Sequence, residues 1–182
     1  MCCNIRYMDW TVVTYRVPQE PSRHRVAIWR ELRRAGAVPL QQATWALPLH
    51  RHTAKTLDRV RSLVGRADGQ VFIFDADPRD DAMAADLERA FVEGREAEWV
   101  EFLAECDKFD AEIAHEIAIR KFTAAELDEE EQNLERLRRW HAELRERDVL
   151  GAPSASEAEI RLKGSIEQLE SFAQQVFEQG GG

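Results

Sequence analysis

The sequence has little of what commits a chain to a membrane, a disulfide scaffold or secretion. No run of 18 or more apolar residues is present, so no segment reads as a transmembrane helix. The 3 cysteines are two neighbours, Cys2 and Cys3, and the distant Cys106, a spacing that supports neither a disulfide framework nor a C-x-x-C pair. The first ten residues also lack the basic and apolar stretches of a secretion signal. We therefore expect a cytoplasmic protein with reduced thiols and no membrane partner.

Recognisable catalytic motifs are missing as well. The chain contains no G-x-S-x-G, P-loop, G-x-G-x-x-G or H-E-x-x-H pattern. Glu112 and His115 have the i, i+3 spacing of carboxylate-bridged two-metal bundles, but such sites need two of these pairs and further glutamates. Cys106 belongs to an apolar stripe, which favours a core thiol over a nucleophile. We expect no catalytic activity, no bound metal and no cofactor.

The charge of the chain is divided unevenly. The 182 residues carry a net charge of -9, and 44% of them are apolar, enough for a substantial core. Residues 1–66 hold 12 Lys+Arg against 4 Asp+Glu, a charge of +8, whereas residues 67–182 hold 13 against 30, a charge of -17. The basic part is suited to attract an anion. The acidic part either repels that anion or folds back on the basic part, and the sequence leaves both outcomes open.

The N-terminal third alternates between strand and helix patterns. Residues 10–17 are rich in β-branched and aromatic residues, as in a buried strand. A helix follows, with Ser22 as N-cap, Gly36 as its stop and an apolar face predicted from Val26, Trp29 and Leu32. The remaining segments are two strands, a helix and a strand, over residues 38–42, 44–49, 53–64 and 69–77. The order β-α-β-β-α-β predicts a ferredoxin-like head over residues 10–77.

The rest of the chain is predicted to be helical. Residues 78–179 have apolar residues at three- and four-residue steps and predict an acidic antiparallel bundle of about three helices. Asp77 with Pro78 predicts the first helix start, and capping boxes at Thr123 and Ser154 predict the other two. His141 lies on an apolar stripe and is expected to be a core or interface histidine. The whole chain is thus an α+β protein.

The first turn of the first helix carries an unusual concentration of positive charge. The helix dipole favours negative charge there, so each exposed cation should cost about 0.3 to 1 kcal/mol. A broken local rule favours a functional explanation, and helix N-termini present N–H groups to anions. The candidate anion-binding or phosphate-binding residues are Arg23, His24, Arg25, Arg30, Arg33 and Arg34. The alternative is structural, with the arginines paired to Glu20 or to carboxylates of the acidic part.

Further basic residues surround the second helix. In a ferredoxin-like fold both helices lie on one face of the sheet, so their charges could form a single basic surface. That surface lacks a helix-turn-helix or a zinc finger, so DNA binding is supported by charge alone. The residues concerned are Arg51, His52, Lys55, Arg59 and Arg61.

Two stretches of the chain resemble a known family. WTVVTYRVPQEPSRHRVAIWRELRRAGAVPLQQATWALP, residues 10–48, resembles the N-terminal region of ChrB, the chromate resistance regulator. EFLAECDKFDAEIAHEI and FTAAELDEEEQNLERLRRWHAELRERDVLGAP, residues 101–117 and 122–153, resemble its helical part. The resemblance implies a cytoplasmic, chromate-responsive transcriptional regulator, with operator DNA and chromate as partners. The helical part is expected to provide dimerisation or partner docking, so we also expect a homodimer.

The resemblance covers only part of many members of that family, which are longer and have a further C-terminal domain. The resemblance therefore implies either a separately encoded C-terminal partner or a different distribution of sensing and DNA binding. It leaves open a second function, a non-catalytic dimeric scaffold that docks such a partner without contacting DNA.

The head is also similar, more distantly, to the central domain of the phenylacetate repressor PaaX and to the small CRISPR-associated nucleases of the adaptation complex. In those nucleases an aspartate after the tyrosine of the first strand implies a divalent metal site. This chain has Arg16 after Tyr15. Because a guanidinium cannot replace a hard carboxylate ligand, the likeness does not extend to metal-dependent nuclease activity.

Overall fold

The computed structural model describes residues 9–50 and 53–180. By its internal contacts the chain divides into two compact units, residues 1–94 and 95–182. The boundary falls inside one continuous helix, so each unit contains part of that helix.

Besides its part of the helix that the two units share, the described residues of the first unit form a four-stranded sheet and two helices. Its elements are β1 (Trp10–Arg16), α1 (Arg23–Arg34), β2 (Val38–Gln41), β3 (Thr44–Pro48), α2 (Thr53–Gly65) and β4 (Gln70–Ala76). The strands pair antiparallel in the order β2-β3-β1-β4. This order and connectivity confirm the predicted ferredoxin-like α+β fold.

The core of this unit lies between one face of the sheet and the two helices. Val13 of β1 is fully buried and pairs with Trp45 of β3 on one side and Ile73 of β4 on the other. Alternate side chains of a strand point to opposite faces, so these three residues meet the helices together. Ile28 of α1 and Val60 of α2 complete the layer from above.

The C-terminal end of α1 follows the prediction, whereas Ser22 precedes the helix without a capping hydrogen bond from its side chain, and the buried face also differs. Gly36 has φ of 78°, and the Ala37 N–H donates to the Leu32 carbonyl at 3.0 Å, which closes the helix in the manner expected of a C-terminal glycine. Ile28 and Leu32 are the buried residues of α1. The predicted apolar face was therefore wrong in part, because Val26 is 39% exposed and Trp29 is 47% exposed.

The reason is geometric. Successive residues of a helix are about 100° apart around its axis, so a face centred between Ile28 and Leu32 turns Val26 away from the sheet and leaves Trp29 at the side. Leu32 fits both the predicted stripe and the observed one. Only the docking of α1 on the sheet decides between them.

The long helix α3 (Asp81–Ala118) begins later than predicted. The prediction placed the N-cap at Asp77, whereas the Met83 N–H donates to Oδ1 of Asp80 at 2.9 Å. Asp80 is therefore the capping side chain, because its carboxylate reaches an amide of the first turn. Within the first unit, Phe91 of α3 contacts Trp10 edge to face, with 6.1 Å between ring centroids.

The second unit is a bundle of three helices. Residues 95–118 of α3 are followed by α4 (Ala124–Arg147) and α5 (Ala155–Gly180). The Trp99 indole N–H donates to Asp148 at 2.8 Å, and Phe102 contacts Trp140 with ring centroids 5.4 Å apart, so α3 and α4 run antiparallel. The Ser165 hydroxyl of α5 donates to Asp110 of α3 at 2.7 Å. These contacts agree with the predicted helical part.

The two predicted capping boxes had different outcomes. The Thr123 hydroxyl accepts from the Glu126 N–H at 3.2 Å, so Thr123 is the N-cap of α4, as predicted. Ser154 instead donates its hydroxyl hydrogen to Glu96 of α3, and its own N–H donates to the same carboxylate at 2.9 Å. The box predicted at Ser154 was wrong, because a carboxylate from another helix takes the place of Glu157.

The apolar stripe of α4 is buried as predicted. Its members are Leu127, Leu134, Leu137, His141 and Leu144. Glu130 was not predicted to belong to this stripe, yet it is only 1% exposed.

Among the helices in residues 9–50 and 53–180, none combines the length and the apolar character needed to cross a membrane.

Candidate anion-binding cleft

A cleft of about 730 Å³ opens between α1, the end of β1 and the β2–β3 hairpin. We call it the α1 cleft. Its lining residues come from these three elements and the loop after β1: Tyr15, Arg16, Val17, Gln19, Ser22, Arg25, Val26, Trp29, Arg33, Pro39, Gln41, Gln42, Ala43 and Trp45.

The α1 cleft is electropositive. Arg16, Arg25 and Arg33 line it, and none of the described residues that line it is acidic. Arg25 and Arg33 belong to the predicted anion-binding set. Arg16 does not, because the sequence pointed to it only as the residue that stands where the similar CRISPR-associated nucleases have an aspartate. Three guanidinium groups around one opening suit a phosphate or another oxyanion, because each presents several N–H donors in a plane.

The outer wall of the cleft is aromatic. Arg25, Trp29 and Arg33 are four residues apart along α1 and therefore lie on one side of the helix. The Arg33 guanidinium lies 5.5 Å from the centroid of the Trp29 ring, a cation–π contact. The sequence contained a signal for this arrangement, since Trp29 has an arginine four residues before it and four after it. The spacing of Trp29 from Val26 and Leu32 also fits an apolar core face, and the prediction placed Trp29 on that face.

Two more aromatic residues form the base of the cleft. Burial raises the pKa of the Tyr15 hydroxyl, while the neighbouring Trp45 indole and the Arg25 charge act in the opposite direction. Trp45 is only 4% exposed. The Trp45 indole N–H lies close enough to the Tyr15 hydroxyl to lower that pKa, but the two groups are not placed to form a hydrogen bond. Tyr15 is therefore a neutral donor at physiological pH.

The β2–β3 hairpin closes the cleft at its far end. Ala43 has φ of 63°, a left-handed conformation that is uncommon for residues other than glycine. The Tyr15 N–H donates to the Ala43 carbonyl at 3.0 Å, which ties the hairpin to β1. This turn brings Gln41 and Gln42 to the rim of the cleft, where neither was predicted.

The other predicted residues lie outside the cleft. Arg23, Arg30 and Arg34 are exposed on α1 but do not line it, and His24 is half-buried. Among the described residues of the first unit, Arg23, Arg25 and Arg30 form no ion pair with a carboxylate. The structural alternative in which the arginines of the first turn pair with Glu20 is therefore not what the described residues show, and their pairing with carboxylates of the second unit stays a prediction.

The basic residues of α2 are partly neutralised. Arg59 contacts Glu31 of α1 at 3.1 Å, and Arg61 lies 3.7 Å from Asp58. Lys55 is exposed beside them. Arg51 and His52, which the sequence analysis also included, lie outside the described residues. The described arginines of α2 thus add less net positive charge than their number implies.

The second unit contains the metal-ligand and thiol candidates of the sequence. Glu112 and His115 are exposed on α3, and among the described residues no group of three or more His, Cys, Asp or Glu is placed to hold a metal ion. Cys106 is fully buried. Burial first, and then the nearby Asp110, raise the pKa of its thiol to about 11, so it is protonated at neutral pH.

The fold and the cleft define the class: a ferredoxin-like head with an electropositive, aromatic-walled cleft, followed by a helical bundle. The family model described as Protein ChrB, N-terminal, matches residues 25–181. The chain therefore belongs to the ChrB family, which is associated with chromate resistance. No curated protein matches the chain. The match includes all of α1 from Arg25 onward and nearly all of the second unit.

Proposed function

We propose that this protein is a chromate-responsive transcriptional regulator that binds DNA, chromate or both through its basic head and acts without catalysis. Membership of the ChrB family supports the biological setting. The observation that carries the proposal is the arginine cluster of α1, in which Arg23, Arg25 and Arg30 have no carboxylate partner among the described residues of the first unit. Because unneutralised charge is unfavourable in isolation, such a cluster favours an anionic partner.

The chemistry of the first turn suits both proposed partners. Phosphate groups of DNA and chromate are oxyanions that accept charge-assisted hydrogen bonds from arginine. Arg23 and Arg25 are both exposed, and the Ser22 side chain makes no capping hydrogen bond. In this proposal these residues contact operator phosphates, and chromate binding at the same turn weakens that contact.

The proposal is tested by replacing the two arginines together. We expect Arg23→Ala with Arg25→Ala to weaken operator binding. The negative slope of log affinity against log salt should become less steep by about 1 for each lost phosphate contact. The measurement is a salt titration by gel shift with promoter DNA, with and without chromate. Arg136→Ala with Arg138→Ala on α4 is the matched control, because both arginines are exposed and the charge change is the same.

If the α1 double variant retains both operator binding and the chromate response, the site assignment is wrong. If neither variant nor the unaltered protein binds DNA at low salt, the second candidate function gains support. That candidate is a dimeric interaction scaffold that docks a separate partner. It is favoured by the net charge of -9 and by the lack of a motif that reads DNA bases.

A further inference from the structure

The α1 cleft is much larger than an inorganic oxyanion requires. Its volume of about 730 Å³ lies within the range of small-molecule sites, which is roughly 300 to 1,000 Å³. A tetrahedral oxyanion has only five heavy atoms and would fill a small part of that space. The size of the cleft therefore points to a ligand with an organic part.

The exposed aromatic wall indicates what that organic part is. Trp29 is 47% exposed and Val26 is 39% exposed, although the same helix buries Ile28 completely. A flat aromatic ring beside a guanidinium is the arrangement on which unpaired bases stack in proteins that bind single strands. Arg33, 5.5 Å from the Trp29 ring, provides the guanidinium.

The rim supplies groups for the polar parts of such a ligand. Gln19, Gln41 and Gln42 line the cleft, and each side-chain amide both donates and accepts hydrogen bonds, as a base edge requires. Arg16 and Arg25 provide donors for a phosphate. No acidic residue is among the described lining, so no carboxylate there would repel the phosphate of such a ligand.

From these features we propose that the α1 cleft binds one nucleotide, with its base against Trp29 and its phosphate against Arg16 and Arg25. The nucleotide is either free or part of a single-stranded segment. The inference deepens the proposed function and rests on it, since it takes α1 as the surface that meets nucleic acid. A base stacked inside a duplex presents only its edges and cannot cover Trp29 in this way.

The decisive experiment compares variants of the full chain at Trp29. The probes are dAMP, measured by calorimetry, and a fluorescein-labelled single-stranded oligonucleotide, measured by anisotropy. We expect Trp29→Ala to weaken nucleotide affinity about 5- to 160-fold, the range for loss of one base stack, and Trp29→Phe to retain most of it. Phosphate and chromate have no planar surface, so their binding should not change in Trp29→Ala.

The arginines provide a matched control on one helix. Arg25→Ala with Arg33→Ala removes two cleft charges, whereas Arg23→Ala with Arg30→Ala removes two charges outside it. We expect the first pair to weaken single-strand binding more than the second pair. Equal losses would mean a diffuse electrostatic surface and would overturn the cleft assignment.

The outcomes separate this inference from the proposed function. If Trp29→Ala folds correctly and binds nucleotide as tightly as the unaltered protein, while operator binding is also unchanged, the cleft proposal is wrong and the proposed function is not affected. Loss of operator binding in the Arg23→Ala, Arg25→Ala variant supports the proposed function, and retention of operator binding contradicts its site assignment. Trp29-dependent binding of dAMP identifies a free nucleotide as the ligand, and Trp29-dependent binding of the oligonucleotide alone identifies a single strand.

Discussion

The buried carboxylate of Glu130 is expected to make the stability of the helical bundle depend on pH. Its side chain is only 1% exposed, and Asn133 donates to it at 3.3 Å. Burial first, and then the neighbouring carboxylates Glu112, Glu129 and Glu116, raise the pKa of Glu130 above its ordinary value of 4.5. The ionised form therefore destabilises the folded state, and protonation relieves that cost.

We expect Glu130→Gln to raise the free energy of unfolding at pH 7 by on the order of 1 kcal/mol, because it removes a buried charge and keeps the shape of the side chain. In the unaltered protein this cost is full above the folded pKa. It falls as the pH drops through that pKa towards 4.5, so the advantage of the variant should shrink on acidification. Urea denaturation at pH 7 and pH 5 measures both effects.

Glu129→Gln is the control, because Glu129 is exposed on the same helix turn. Burial lowers the pKa of His141, so this residue stabilises the fold least in acid and opposes Glu130 as the pH falls. Comparing the Gln variant with its parent cancels the His141 contribution. A variant with the same stability difference at both pH values would show that Glu130 does not titrate in this range.

At the scale of elements, the junction between α2 and β4 depends on the absence of a side chain at Gly69. A Cβ there would lie 2.5 Å from the Arg16 carbonyl oxygen, 2.6 Å from a Val17 methyl and 2.9 Å from a Val64 methyl. The Gly69 N–H also donates to the Val64 carbonyl at 3.0 Å, so the turn has little freedom to move. Arg16 and Val17 line the α1 cleft, which links this junction to the candidate site.

We expect Gly69→Ala to lower the free energy of unfolding by roughly 1 to 3 kcal/mol, the usual cost of forcing atoms into a packed position. Thermal or urea unfolding followed by circular dichroism measures the change. Because the clash pushes on Arg16 and Val17, nucleotide affinity should fall as well.

Gly164→Ala on α5 is the matched control. An added Cβ there has no atom within 4 Å, and the position is inside a helix. Alanine should therefore stabilise the protein by about 0.5 to 1 kcal/mol. If Gly69→Ala proved as stable as Gly164→Ala, the tight packing at the α2–β4 junction would be refuted.

At the scale of the whole molecule, positive and negative charge are concentrated in different parts of the sequence. Residues 1–66 carry +8 and residues 67–182 carry -17, counted from 12 and 13 basic against 4 and 30 acidic residues. If the acidic part repels an anion, that repulsion is spread over many exposed carboxylates. Such long-range repulsion acts at low ionic strength and is screened within about 10 Å at 0.1 M salt.

We expect Glu129→Gln with Glu131→Gln to strengthen DNA binding by roughly twofold at low salt, because two repelling charges are removed. The gain should vanish at higher salt, where the charges are screened. Anisotropy titrations across a salt series measure this. A gain that persisted at high salt would indicate a local contact rather than a long-range field.

Much of the fold was accessible from local patterns. The β-α-β-β-α-β order, the end of α1 at Gly36 and the N-cap at Thr123 all depend on interactions between residues close in sequence. Ser154 and Asp80 show where that reasoning stops. The partner of Ser154, Glu96, is far away in the chain, and the choice of Asp80 over Asp77 depended on which carboxylate reached the first turn.

The candidate site was predicted only in part. The sequence by itself determined the charge division, the family likeness and the arginines of α1, because charge and composition need no folding to be counted. The tertiary structure alone decided that Arg25 and Arg33 face the cleft with Trp29, while Arg23 and Arg30 do not. A helical spacing fits more than one face, and only packing against Val13 and the rest of the sheet selects which face is buried.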